Sequence, residues 1–359
     1  MPPVTVLILA PAAAVDAAPL ERVLDAARFA LAEHHRVEFL AAGASRAIVR
    51  RELPDDTPFG ARLRRLVHEL RPDGLVVLGA ASLPLATAAD RRAFLEAASA
   101  DTPGVLANVR YSADAIAISN AFTILRDVPD LPSDNALPRW LEEVIGSAVR
   151  DLRARRRLAM DVDSPLDLLL LDGVRGAPVL PLPTDLEAAP VRERLASLRA
   201  LATDPSGELL VSGRMSAADL RWLERSTRSR TRALVEERGL RTATAGPMLG
   251  RPNRRPPRAV LGELLDRDGV DAFGRIVASL ADGALIDSRV LLAHRLGADE
   301  RRWPPAEDRF ASDLLQPDRV RDPWLRDLTA AAAGAAVPIL LGGHGLVGPG
   351  ARLALGSRA

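Results

Sequence analysis

The sequence predicts an α/β protein, with a three-layer mixed sheet followed by a mostly helical C-terminal domain. Three observations lead to this prediction. In the first half, short apolar runs rich in β-branched residues alternate with amphipathic stretches, which is typical of buried strands connected by helices. The 359 residues are 48% hydrophobic, enough for a large core in about two domains. In the second half, amphipathic helical stretches dominate.

The elements of the first half follow from local patterns. An apolar run predicts a strand at 4–10, and helical spacing of Leu and Ala predicts a helix at 19–33 that ends at His34 and His35. Thr87 followed by Asp90 is typical of a capping box at the start of a helix. The remaining predictions are strands at 37–40, 75–79, 113–119 and 158–162, and helices at 59–70, 135–157 and 166–171.

The later elements suggest a boundary near the middle of the chain. A proline-containing stretch at 173–190 reads as a linker between a domain at 1–172 and another at 191–359. A basic, proline-rich loop occupies 251–258. The predicted elements beyond the linker are strands at 208–211 and 337–341 and helices at 216–238, 258–266, 270–281, 285–296 and 323–335.

The composition excludes several classes of chemistry. The chain has no cysteine and no lysine, so all 48 residues in the Lys plus Arg count are arginine. Disulfides, thiolate nucleophiles and Cys-ligated metals are therefore excluded, as are Schiff-base lysines and lysine-dependent phosphate loops. The net charge of +1 makes nucleic acid an unlikely partner.

The expected location is the cytoplasm. The segment at 1–15 is apolar but lacks the basic leader of a signal peptide, and no apolar run approaches the roughly 18 residues that a membrane-spanning helix needs. We expect no membrane partner, and the sequence leaves the oligomeric state open.

Three segments carry a resemblance to a known family. They are residues 73–85 (DGLVVLGAASLPL), 133–137 (SDNAL) and 161–168 (DVDSPLDL). The first half resembles the guanylyltransferases and related nucleotidyltransferases that share the glycosyltransferase-A sheet. The resemblance implies a Rossmann-like sheet that binds a nucleotide or a phosphorylated cofactor precursor, with Mg²⁺ as cofactor.

Two departures from the family affect the expected activity. The glycine-rich phosphate loop after the first strand is replaced by residues 10–14 (APAAA), and Ser82 stands where the family has a magnesium-binding aspartate. A hydroxyl is a weaker ligand for Mg²⁺ than a carboxylate. The resemblance therefore implies binding, while the metal-dependent transfer reaction is in doubt.

The carboxylates of Asp161, Asp163 and Asp167 form the first candidate site. They fall at a predicted strand-to-helix turn, where Asp161 and Asp163 would be catalytic residues that hold magnesium. Helix capping is the alternative, because Asp163 precedes Ser164 and Asp167 lies in the first helical turn.

Candidate substrate-binding residues lie elsewhere in the first half. Arg110 could grip a phosphate and Tyr111 could stack on a base, with Asp114 beside them; a surface ion pair is the alternative. Asp134 and Asn135 would bind substrate or cap a helix. Ser82 is also a candidate substrate-binding residue, because it stands where the family has its magnesium-binding aspartate.

The second half contains a separate set of candidates. Asp287 and His294 lie seven residues apart and would share a helix face, while His344 lies in a glycine-rich segment at 342–350. With Arg289 and Asp308 they could supply an imidazole base or a metal site. Three functions stay open: a nucleotidyltransferase-like enzyme, a non-catalytic binding or interaction protein, and an enzyme whose site surrounds His294 and His344.

Overall fold

The computed structural model describes residues 2–53, 55–240 and 255–356. The chain is α/β throughout and divides into two compact units. The first contains residues 1–17, 25–162 and 176–181, and the second contains 18–24, 163–175 and the chain from 182 onward. Within the described ranges, no helix is long and apolar enough to cross a membrane.

A mixed six-stranded sheet forms the first unit. Its order is β2-β1-β3-β5-β4-β6, with β5 antiparallel to both neighbours and the other pairs parallel. The strands are β1 (Val4–Pro11), β2 (Arg46–Glu52), β3 (Gly74–Gly79), β4 (Val105–Ala107), β5 (Ala115–Ile118) and β6 (Val149–Asp151).

Helices cover both faces of this sheet, as the three-layer prediction requires. Side chains alternate along the central strands, so Ile8 belongs to one apolar cluster and Leu7 to the other. The helices are α1 (Pro19–Ala41), α2 (Phe59–Leu70), α3 (Ala88–Ala98), α4 (Ala121–Leu125) and α5 (Ala136–Glu143). The capping box predicted at Thr87 and Asp90 is present at the start of α3.

The strand predicted at 37–40 is wrong, because α1 continues to Ala41. Leu31, His35 and Phe39 are all buried at helical spacing, whereas Val37 is 54% exposed. His34 and His35 therefore lie within the helix rather than at its end. Of the short run that suggested a strand, only Phe39 is buried against the core, and the strand that follows α1 is β2.

The helix predicted at 135–157 is also wrong beyond α5. Gly146 takes a left-handed backbone conformation with φ +74°, which breaks the helical path before β6. The strand predicted at 158–162 is absent as well. A 3₁₀ turn at Arg156–Ala159 replaces it, followed by a single bridge between Asp161 and Ser82.

A parallel four-stranded sheet lies within the mostly helical second unit. Its order is β10-β9-β7-β8, formed by β7 (Glu208–Gly213), β8 (Arg230–Val235), β9 (Gly283–Asp287) and β10 (Ile339–Gly342). The helices predicted at 216–238 and 285–296 are partly wrong, because β8 and the end of β9 occupy parts of these ranges. Residues 251–254 of the basic loop lie outside the described residues.

The helices of the second unit are short except for α7. They are α6 (Pro165–Leu171), α7 (Asp185–Thr203), α8 (Ala217–Ser226), α9 (Val260–Asp268), α10 (Phe273–Leu280), α11 (Ser288–Leu296), α12 (Ala306–Asp313), α13 (Pro323–Ala333), α14 (His344–Val347) and α15 (Ala351–Leu355).

Candidate functional site

Five candidate residues lie at the carboxyl edge of the six-stranded sheet. Ser82 follows β3, Arg110 and Tyr111 follow β4, and Asp114 precedes the antiparallel strand β5. Asp161 joins them through its bridge to Ser82. Open α/β sheets bind ligands at this edge, beside the strand where the chain order reverses. Here the reversal occurs at β1, whose neighbours are β2 and β3.

Ser82 is held in place by backbone and side-chain hydrogen bonds. Its hydroxyl donates to the Gly79 carbonyl oxygen at 2.7 Å, and its own carbonyl accepts from His35 Nε2 at 2.8 Å. Only 2% of the residue is exposed. The hydroxyl is therefore turned into the protein, and it does not replace the carboxylate that Mg²⁺ would need here.

His35 was not predicted as part of this region. Burial lowers the pKa of its imidazole to about 3, against the smaller raising effect of the Ser82 hydrogen bond, and the charges of Arg91 and His34 lower it further. The ring is neutral at physiological pH, with Nε2 protonated because a carbonyl can only accept. Its helical spacing to Leu31 and Phe39 is the sequence signal that places it inside.

Asn108 shapes the loop that carries Arg110 and Tyr111. Its Oδ1 accepts from the backbone amides of Asp114 at 3.1 Å and Ala115 at 3.2 Å. Its Nδ2 donates to the Leu158 carbonyl at 2.9 Å. The side chain is fully buried, and its hydrogen bonds connect the start of β5 to the backbone at Leu158.

Arg110 and Tyr111 form the accessible part of this edge. The Arg110 guanidinium lies 5.4 Å from the centroid of the Tyr111 ring and pairs with Glu142. Tyr111 is 71% exposed. The sequence suggested a surface ion pair between Arg110 and Asp114, and the structure shows Arg110 paired with Glu142.

Asp134 and Asn135 lie immediately before α5. Asn135 is the N-cap residue, but its side chain makes no capping hydrogen bond, and its backbone amide donates to Asp134 Oδ1 at 2.8 Å. Among the described residues, its buried Oδ1 has no hydrogen-bond partner.

Asp161 and Asp163 fall in different units, and Asp167 takes the capping role. Asp167 Oδ2 accepts from Ser164 N at 2.8 Å, Ser164 Oγ at 3.0 Å and Asp163 N at 3.0 Å, which closes a capping box on α6. In the described parts of the chain, no three His, Asp or Glu side chains are grouped to hold a metal ion.

Asp167 is nevertheless an unusual carboxyl group. It is 4% exposed. Burial, then the neighbouring charges of Asp163 and Asp313, raises its pKa to about 7, against the lowering effect of the Ser164 hydrogen bonds. Oδ1 lies toward Gly345, where a Cβ would stand 3.1 Å from it. A carboxyl that titrates near neutrality in a sheet-edge turn is typical of functional sites.

Two buried ion pairs lie at the carboxyl edge of the four-stranded sheet. Arg214, which follows β7, donates from Nε and Nη2 to the Asp287 carboxylate at 2.7 and 3.0 Å. Arg289 makes two bonds of 2.6 Å to Asp313. The sequence pointed to Asp287, Arg289 and Asp313 as members of one cluster, but it did not indicate Arg214.

The proposed histidine cluster of the second half is not assembled. His294 Nε2 lies 3.0 Å from Asp266 Oδ2, and Nδ1 accepts from the Ala259 amide at 3.2 Å. Asp308 accepts from the amides of Arg321 and Asp322 at 2.9 and 2.8 Å. His294 and Asp308 therefore support loops.

The remaining two members of that cluster lie at strand ends. His344 begins the short helix α14, directly after the glycines that follow β10. Asp287 ends β9 and caps α11, so it and His294 do not form the shared helix face that their spacing suggested.

Comparison with protein-family models, curated proteins and solved structures finds no match for this chain.

Proposed function

We propose that the first unit binds a nucleotide, or a similar phosphorylated molecule, at the carboxyl edge of its six-stranded sheet, without metal-dependent transfer. The observation that carries the proposal is the pair of Arg110 and Tyr111 on the loop after β4. A guanidinium binds phosphate through paired hydrogen bonds, and a phenol ring stacks on a base.

The surrounding residues support binding more than catalysis. Asn108 fixes the loop, and His35 fixes the turn that contains Ser82, so the edge is rigid without a ligand. Phosphoryl transfer depends on positioned charges that neutralise the phosphates. Here the hydroxyl of Ser82 is buried and already donates to Gly79, and the family's phosphate loop is absent.

The test is calorimetric titration and thermal shift of the full chain with GTP, ATP, CTP and UTP, each with and without Mg²⁺. A nucleotide at 100 times its Kd should stabilise the folded protein by about 2.7 kcal/mol. We expect one nucleotide to bind in the absence of Mg²⁺, and Arg110→Gln to weaken binding at least fivefold.

Arg126→Gln is the matched control, since Arg126 is another arginine of the first unit whose ion pair, to Asp127, is exposed. It should leave the affinity unchanged. Failure of all four nucleotides to bind folded protein contradicts the proposal. Binding that requires Mg²⁺ and is lost in Asp161→Ala would instead indicate a metal-dependent transferase.

A further inference from the structure

The carboxyl edge of the four-stranded sheet contains a reversal of the strand order. From β7 the chain passes to β8 on one side, and it later returns to β9 on the other. The strand order therefore reverses between β7 and β9. In parallel sheets, ligands bind outside the strand ends at this reversal. Arg214 and Asp287 stand at the ends of these two strands.

Asp287 holds the Arg214 guanidinium in one orientation. The carboxylate is 1% exposed and accepts bonds from Nε, Nη2 and the backbone amide of Arg214. Gly213 permits this close approach, because its φ is +134° and a Cβ would stand 2.2 Å from Asp287 Cβ. The arginine is thus positioned before any ligand arrives, which lowers the entropic cost of binding.

The pairing of Arg214 with Asp287 uses only part of its guanidinium. The hydrogen bonds and ion pair of Arg214 within the described residues use Nε, Nη2 and the backbone amide, all toward Asp287. Nη1 takes no part in them, and 11% of the side chain is exposed. A guanidinium has five N–H donors, so an anchored arginine keeps donors for an incoming acceptor.

At the same edge, the position of Gly343 faces open space. Gly343 follows β10, whose last residue pairs in register with Asp287. A Cβ at Gly343 would meet no atom within 4 Å. The second arginine of this edge, Arg289, is already occupied by Asp313 on both Nη atoms.

We propose that Arg214, anchored by Asp287, binds the oxyanion group of a small molecule at the carboxyl ends of β7 and β9. Phosphate and carboxylate groups share the required chemistry, since both accept paired hydrogen bonds from a guanidinium. This site belongs to the second unit and is independent of the nucleotide site proposed for the first.

The experiment is titration of the full chain with inorganic phosphate, pyrophosphate and succinate at constant ionic strength. We expect saturable binding of at least one probe, and the comparison of phosphates with succinate identifies the anion class. Arg214→Lys keeps a positive charge opposite Asp287 but loses the planar fork, and it should raise Kd at least tenfold. Arg214→Gln should abolish binding.

Two controls make the result specific. Arg221→Gln alters an exposed arginine on α8, and Arg326→Gln alters an exposed arginine on α13; neither should change Kd for the probes. The proposal is overturned if folded wild-type protein binds none of the probes. It is also overturned if Arg214→Lys binds as tightly as wild type, or if either control weakens binding as much as Arg214→Lys.

Discussion

The carboxyl edges of the two sheets are built from different chemistry. At the six-stranded sheet, neutral side chains such as His35 and Asn108 hold the backbone. The Tyr111 ring, on the loop after β4, is exposed to solvent. At the four-stranded sheet, charged pairs such as Arg289–Asp313 are buried. Burying an ion pair removes both charges from water, and the attraction between the charges offsets this desolvation penalty only when the geometry is good. At the four-stranded sheet, charged side chains are therefore fixed at a cost in folding free energy. At the six-stranded sheet, neutral side chains fix the backbone of the loops.

The largest expected effect comes from breaking a buried pair of the second unit. Asp313→Ala leaves Arg289 charged and unpaired in the interior, and we expect the free energy of unfolding to fall by about 3–5 kcal/mol. Urea denaturation followed by circular dichroism measures this loss. Arg326→Ala, which removes an exposed ion pair with Asp327, should cost less than about 1 kcal/mol. Similar losses in the two variants would refute the contrast between buried and exposed charge.

The next effect is a pH dependence of the first unit that comes from His35. The pKa of this imidazole is about 3 in the folded state and 6.5 in the unfolded state, so the unfolded state binds more protons between these values. The stabilising contribution is complete above pH 6.5, and it should fall by about 1.4 kcal/mol per pH unit as the pH drops toward 3. Denaturation at several pH values tests this.

Removing the imidazole shows whether His35 is the cause. His35→Gln should flatten the acid dependence, whereas His68→Gln, at an exposed position of α2, should retain it. An unchanged slope in the His35 variant would show that this ring is not the titrating group.

Asp167 should give the second unit a pH dependence of opposite sign. Its pKa is about 7 in the folded state and 3.8 in the unfolded state, so the folded state binds more protons between these values. The stabilisation is complete below pH 3.8 and is lost as the pH rises through 7. The ¹³Cγ chemical shift of Asp167 reports the titration directly.

The neighbouring charge can be separated from burial. Asp163→Asn removes the second-largest cause of the shift, so it should lower the folded-state pKa of Asp167 without returning it to 3.8. A midpoint near 4 in the wild-type spectrum would contradict the account of Asp167 as a buried carboxyl.

The smallest effect on stability is expected at Tyr111. Because this ring is 71% exposed, Tyr111→Ala should change the free energy of unfolding by no more than about 0.5 kcal/mol. Loss of a stacked base costs about 1–3 kcal/mol, so nucleotide affinity should fall at least fivefold. Calorimetry on the variant separates these two quantities, and unchanged affinity would remove Tyr111 from the proposed site.

Local patterns predicted the capping box of α3 and the strands β1, β3, β5, β7 and β10, but not the strands β2, β4, β6, β8 and β9. β1 and β3 are continuous apolar runs, so their burial is visible in the sequence. β2 and β8 each contain arginines, and their apolar residues are only partly buried. Pairing with a central strand decides that such segments are extended, and no local pattern reports that pairing.

The same limit applies to the sites. The sequence placed Arg110, Tyr111 and Asp114 on one loop because they are neighbours in the chain. Arg214 and Asp287 are 73 residues apart, and nothing in either neighbourhood indicates the other. The sequence suggested His294 as a catalytic base because it lies seven residues after Asp287. In the structure its hydrogen-bond partners are the Asp266 carboxylate and the Ala259 backbone amide, which come from another part of the chain.

The sequence by itself determined the α/β class, the exclusion of cysteine and lysine chemistry, and the helix start at Thr87, because these depend on composition or on contacts a few residues apart. Only the tertiary structure decided that Ser82 is turned inward, that His35 is neutral and that Arg214 is anchored by Asp287. Burial and long-range pairing set these properties, since both depend on segments that meet only when the chain is folded.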